Sequence, residues 1–151
     1  MARLTLVGPV APYRGGIAHF TEALGQALQA RGHQVSALSF RRQYPRWLFP
    51  GRTQTEPEPV ASSMPAAYVL DPLRPWTWSK AARWIQAQRP DLVVFQYWMP
   101  FFAPAYGTIA GRLRRWDVPT VALVHNALPH ERHVLDATLS RWFLRRCRAR
   151  I

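Results

Sequence analysis

The first sixteen residues constrain the fold most. A short apolar run over 3–8, Arg-Leu-Thr-Leu-Val-Gly, enters a loop over 9–16 that ends in Gly15-Gly16, and a helical pattern opens at Ile17. A strand feeding a helix through a glycine loop aims the helix N-terminus, with its unpaired N–H groups and partial positive charge, at the carboxyl edge of a sheet. The glycines allow a positive φ, or close approach of another group to the backbone. Such a loop makes a floor for an anionic substrate. A tight turn with no ligand is the other use of the same pair.

The rest of the chain keeps alternating between the two periods. The spacing predicts a helix over 17–31 with Ile17, Phe20, Leu24, Ala27 and Leu28 on its inner face, ended by Gly32, then a strand over 35–40. A Pro-rich irregular stretch follows over 41–65, then a short strand over 66–70. A helix over 77–88 turns Trp78, Ala81, Ala82 and Ile85 inward and stops before Pro90. Continuous apolar runs over 92–95 and 120–124 read as strands buried on both faces. Between them Phe102, Tyr106, Ile109, Leu113 and Trp116 mark a helix, and Leu135, Leu139, Trp142 and Phe143 mark a last one reaching about Cys147. The expectation is an α/β fold, a doubly wound, mostly parallel sheet in one domain over 1–151. The last helix runs into 148–151 with no closing strand, so the fold reads as truncated.

Charge narrows the partners. Twenty basic residues face eight acidic ones, a net charge of +12, and Lys80 is the only lysine. Arginine-favouring codon usage accounts for the Arg/Lys ratio but not for the shortage of acids. The surplus points to an anionic partner: phosphate groups, nucleic acid or an anionic lipid surface. No run reaches the roughly 20 apolar residues of a membrane-spanning helix. The first residues lack the architecture of a signal peptide, and Cys147 is the only cysteine. The expected location is cytoplasmic.

In open α/β sheets ligands sit beyond the carboxyl ends of the strands, where strand order reverses. The loops over 9–16, 96–101 and 125–131 meet that description, and their polar residues are Tyr13, Arg14, Gln96, His125, Asn126, His130 and Glu131. Neither a G-x-G-x-x-G spacing nor a phosphate loop ending in Gly-Lys-Ser/Thr is present, which discounts dinucleotide and nucleoside triphosphate sites. His125 closes a buried strand; a core-edge histidine bonded to backbone is its plain alternative. His130-Glu131-Arg132-His133 is H-E-x-H, not H-E-x-x-H, and lacks a third ligand, so no metal is expected. Glu56 and Glu58 read as solvated. Basic and aromatic residues interleave over 41–49, 114–116 and 141–146, and Arg141, Arg145 and Arg148 form a stripe beside Trp142. Basic surfaces with Trp suit anionic membranes. The alternative is a non-enzymatic nucleic-acid-binding or phosphate- or sugar-binding domain, but no RNA- or DNA-binding signature appears.

Residues 15–20 (Gly-Gly-Ile-Ala-His-Phe), Leu24, Leu28 and 31–35 (Arg-Gly-His-Gln-Val) resemble the N-terminal signature of family 4 retaining glycosyltransferases with the GT-B fold. Residues 90–95, 100–104 and 125–131 (His-Asn-Ala-Leu-Pro-His-Glu) are similar to a subgroup of that family, and the resemblance covers almost the whole chain. It implies two Rossmann-like domains facing a cleft, the N-terminal one holding the acceptor and the C-terminal one a nucleotide-diphosphate sugar. The implied reaction retains anomeric configuration, needs no metal or other cofactor, and serves a glycan or lipid-linked acceptor, as in polysaccharide biosynthesis at the inner membrane face. By position, Gly15 and Gly16 would border the donor diphosphate and acceptor. His125 would stand near the donor sugar, contacting a hydroxyl or supporting oxocarbenium charge. Arg14, Gln96, Asn126 and Glu131 complete the expected binding set. The donor-binding domain is not in this sequence, so the chain by itself is expected to be inactive.

Overall fold

The structure is a computed structural model describing residues 1–47, 53–58, 60–125 and 134–151. Six strands form one sheet, every pair parallel. They are β1 (Arg3–Val7), β2 (Gln34–Phe40), β3 (Ala66–Leu70), β4 (Leu92–Tyr97), β5 (Thr120–Val124) and β6 (Ala149–Arg150). The order across the sheet is β3-β2-β1-β4-β5-β6, so its direction of growth reverses between β1 and β4. Among the described residues α-helices lie in four of the five crossovers, all but β2 to β3: α1 (Gly16–Ala30), α2 (Pro75–Ala87), α3 (Ala103–Arg115) and α4 (Val134–Leu144). β6 corrects the expectation of no closing strand. Two residues without an apolar run carry no sequence signal, but Ile151 N–H donates to the Ala122 carbonyl at 2.9 Å and extends the pairing with β5.

Helix ends follow local chemistry. Gly32 (φ +86°), Arg89 (φ +49°) and Asp117 (φ +55°) each turn left-handed just past α1, α2 and α3. After α1, Gly32 N–H reaches the Gln29 carbonyl and His33 N–H the Leu28 carbonyl, pairing carbonyls the helix leaves open. Pro75 starts α2, where its missing N–H costs nothing.

Strand alternation divides the core between two faces. Leu4, Leu6, Val35 and Ala37 pack with Met64 and the half-buried Leu24 and Leu28 of α1. On the other face Val7, Leu38, Phe40, Val93 and Phe95 meet Ile85, Ile109, Leu113 and Phe143 of α2, α3 and α4. The inner face of α1 differs from the expected one: Ala18, Thr21 and Gly25 are buried, whereas Phe20 and Ala27 are exposed. Periodicity weighs large apolar residues, but small ones are what let a helix lie close to a sheet. A Cβ on Gly25 would collide with the Met64 side chain. On α4, Leu135 is exposed and the helix ends at Leu144. Phe40, Phe102, Tyr106 and Phe143 are fully buried, so these rings stack on one another rather than on bases.

Candidate active site at the carboxyl edge

β1, β4 and β5 end side by side, and the residues just past their ends touch one another. After β1, Tyr13 N–H donates to the Val10 carbonyl and its hydroxyl to the Phe40 carbonyl at 2.6 Å, which pins the loop against the sheet. The loop closes on Gly15 with φ +112° and ψ 169°, a conformation that favours glycine, and α1 begins with no acidic residue in its first turn. No side chain caps its first N–H groups, and the acid near this end is Glu56 from another segment, 3.8 Å from His19. Gly16 has open space around its Cα.

His125 stands directly after β5. Its N–H donates to the Tyr97 carbonyl at 2.9 Å, and its Nε2 lies 2.6 Å from Oε1 of Gln96. Gln96 is wholly buried on β4, so it reaches His125 and not the cleft surface, and its Nε2 has no partner among the described residues. With the amide oxygen facing it, Nε2 of His125 is the donor, and Nδ1 keeps its lone pair. Phe20, one turn into α1, sets its ring edge-on to the imidazole at 4.9 Å. The two expected spots, the glycine loop and His125, thus stand on one edge of the sheet, joined through Phe20.

Burial lowers the His125 pKa below the ordinary imidazole value. The unfolded chain takes up this proton near pH 6.5, roughly, and the folded chain at lower pH, so the unfolded state binds more protons between the two and stability falls as pH falls. In urea titrations from pH 7 to 5, the wild-type midpoint should drop more steeply than that of His125→Gln. Parallel slopes would contradict a neutral, partly desolvated ring.

A cleft of about 750 Å³ opens beside this edge, lined by Pro9, Arg14, Gly15, Gly16, Tyr44 and Trp98 among others. Arg14 is exposed; its N–H donates to the Gln54 carbonyl, and its guanidinium lies 3.8 Å from Glu56. Glu56 also lies 3.8 Å from His19, so it is a paired, half-buried group and not the solvated one expected. Trp98 Nε1–H donates to the Tyr44 hydroxyl at 2.9 Å, which fixes two aromatic walls. Tyr44, Trp98, Phe20 and Glu56 escaped sequence reasoning. The aromatic-basic run over 41–49 holds Tyr44, the candidate loop over 96–101 holds Trp98, and the glycine motif over 15–20 ends on Phe20, but none of these side chains stood out as a site residue. Asn126, His130, Glu131 and His133 lie outside the described residues. Among the described residues no three His, Cys, Asp or Glu side chains gather as a metal site, and no helix is long and apolar enough to cross a membrane.

The stripe expected to meet a membrane lies elsewhere. α3 and α4 end at the amino edge, where β5 and β6 begin, and Arg112, Arg114, Arg115, Arg145 and Arg146 surround a groove of about 780 Å³ there. None of the five is in an ion pair among the described residues. Trp142 is half-buried there: its ring covers Gly107 and carries the Arg146 guanidinium at 4.0 Å.

The glycosyltransferase family 4 profile matches residues 14–151. No curated protein matches the sequence. Among solved structures, MurG of Acinetobacter baumannii superposes with a TM-score of 0.58 at 17% identity, over 99% of this chain and 40% of that one. Sucrose-phosphate synthase from Thermosynechococcus elongatus gives 0.62 at 14% identity, over 99% and 42%. An α-glucosyltransferase solved with UDP and a 13-mer DNA gives 0.60 at 12%, over 97% and 34%. The chain thus spans well under half the length of these proteins, and the likeness is one of fold. The profile match and the all-parallel sheet reversing between β1 and β4 agree: the chain belongs to glycosyltransferase family 4, with the Rossmann-like fold of a GT-B N-terminal domain.

Proposed function

We propose that these residues form the acceptor-side half of a retaining glycosyltransferase that moves a sugar from a nucleotide-diphosphate donor to a glycan or lipid-linked acceptor at the cytoplasmic membrane face. One observation carries the reading: the start of α1 and the His125 imidazole share the carboxyl edge, with Phe20 between them. The N–H groups after Gly15 offer fixed positive dipoles to a diphosphate, and Arg14 adds a full charge beside them. Tyr44 and Trp98 supply flat walls against which a sugar ring can lie. Held by Gln96, His125 offers a neutral ring whose lone pair can accept from a sugar hydroxyl and face the positive charge that develops as the glycosidic bond breaks. Its role is orientation and electrostatics, and the reaction runs without a metal. The donor-binding half lies outside these 151 residues.

The test is transfer from labelled nucleotide sugars by this chain alone and by the chain together with a donor-binding GT-B domain. Transfer is expected only in the second case, with retained configuration and in the presence of EDTA. His125→Ala should lower it on the order of a hundredfold. Transfer by the isolated chain, or full activity of the variant, would overturn the reading.

A further inference from the structure

Exposed apolar side chains usually scatter singly. Three here do not. Trp47 is 72% exposed, Leu73 45% and Trp76 60%. All stand on two segments that leave the carboxyl ends of the neighbouring strands β2 and β3: the loop over 41–47, and the loop over 71–74 with the first turn of α2. The loops are tied together: Arg41 N–H donates to the Leu70 carbonyl at 2.8 Å, and the Arg42 guanidinium lies 3.0 Å from the Asp71 carboxylate. Asp71 is the only acid in either loop; its side chain is buried, with Arg74 also on it at 3.5 Å. Arg74 in turn sits 5.8 Å from the Trp76 ring. The same two segments thus carry exposed Arg41, Arg46 and Arg74 beside two exposed tryptophans and a leucine in sequence, with no exposed acid among them.

We propose that these two segments dock on an anionic lipid bilayer, Trp47, Leu73 and Trp76 entering the boundary between headgroups and acyl chains while Arg41, Arg46 and Arg74 meet lipid phosphates. An indole with an apolar body and one N–H suits that boundary, and arginines beside it add attraction to anionic lipid. Leu73 has no stacking face to offer a base, so the patch fits lipid better than nucleic acid. Position gives the docking its use. Gln43 and Tyr44 of the first loop line the cleft, so a bilayer bound here lies beside it, whereas the arginine groove at the amino edge would turn the cleft away. Only this last consequence rests on the transferase reading.

Co-sedimentation with vesicles of phosphatidylcholine, alone or mixed with phosphatidylglycerol, tests the docking without any activity. The chain should bind the mixed vesicles and not the neutral ones. Trp47→Ala with Trp76→Ala should weaken binding about tenfold or more. Each of Arg41→Gln, Arg46→Gln and Arg74→Gln should weaken it about fivefold. The triple change Arg141→Gln, Arg145→Gln, Arg148→Gln should leave it within about twofold. Circular dichroism checks that each variant folds. Loss of binding in the α4 triple but not in the tryptophan pair would overturn the proposal. So would equal binding to neutral vesicles, or tighter binding to single-stranded RNA that the tryptophan pair abolishes.

Discussion

Gly8→Val should cost about 3 kcal/mol of stability and move the His125 ring with it. Gly8 follows β1 beside β4, its N–H donating to the Leu38 carbonyl at 3.1 Å, and a Cβ there would stand 2.8 Å from both Cβ and Cγ of Gln96. Gln96 cannot swing aside freely, because it is buried and its amide holds His125 at 2.6 Å. Overpacking a rigid site costs roughly 1–3 kcal/mol, and valine adds two further methyl groups to the clash. Thermal unfolding gives the stability loss, and His125 ring resonances in NMR give the second readout. The neighbouring glycines set the contrast. Gly16→Ala meets open space and should be close to neutral, whereas Gly15→Ala is strained by φ +112° and should cost about 1–2 kcal/mol. A Gly8→Val protein with an unchanged midpoint would show that Gln96 and His125 are not clamped as described.

The strands were legible because parallel strands buried on both faces leave continuous apolar runs, as over 92–95 and 120–124. Their order was not, since it rests on pairings such as Leu4 with Leu92 that no local pattern encodes. Helix α1 shows a different failure. Counting large apolar residues put Phe20 inside, but close packing on the sheet selected Ala18, Thr21 and Gly25 and left Phe20 to meet His125. The site followed the same division. Gly15 and His125 were visible as strand-end residues, whereas Glu56 beside Arg14 and Trp98 on Tyr44 exist only once residues about 40 to 55 apart in sequence are brought together.

Tyr106 should give the largest paired effect in the core, opposite in sign for two substitutions. Its ring is fully buried on α3, 5.1 Å from Phe95, 5.6 Å from Phe143 and 5.8 Å from Phe102. Its hydroxyl has no hydrogen-bond partner among the described residues, and burial drives its pKa well above the usual phenol value. The ring therefore stabilises, while the oxygen carries a desolvation cost that no bond returns. Tyr106→Phe keeps the ring and removes that cost, for a gain of about 1 kcal/mol, or roughly 2–4 °C in Tm for a domain of this size. Tyr106→Ala leaves a void among aromatic rings and should lose about 3–5 kcal/mol. The loss should reach the site as well, because Phe95 and Tyr97, both in ring contact with Tyr106, flank Gln96 on β4. Calorimetry on the two variants decides the point: a lower Tm for Tyr106→Phe would mean that the hydroxyl is bonded within the folded protein and that the oxygen contributes to stability.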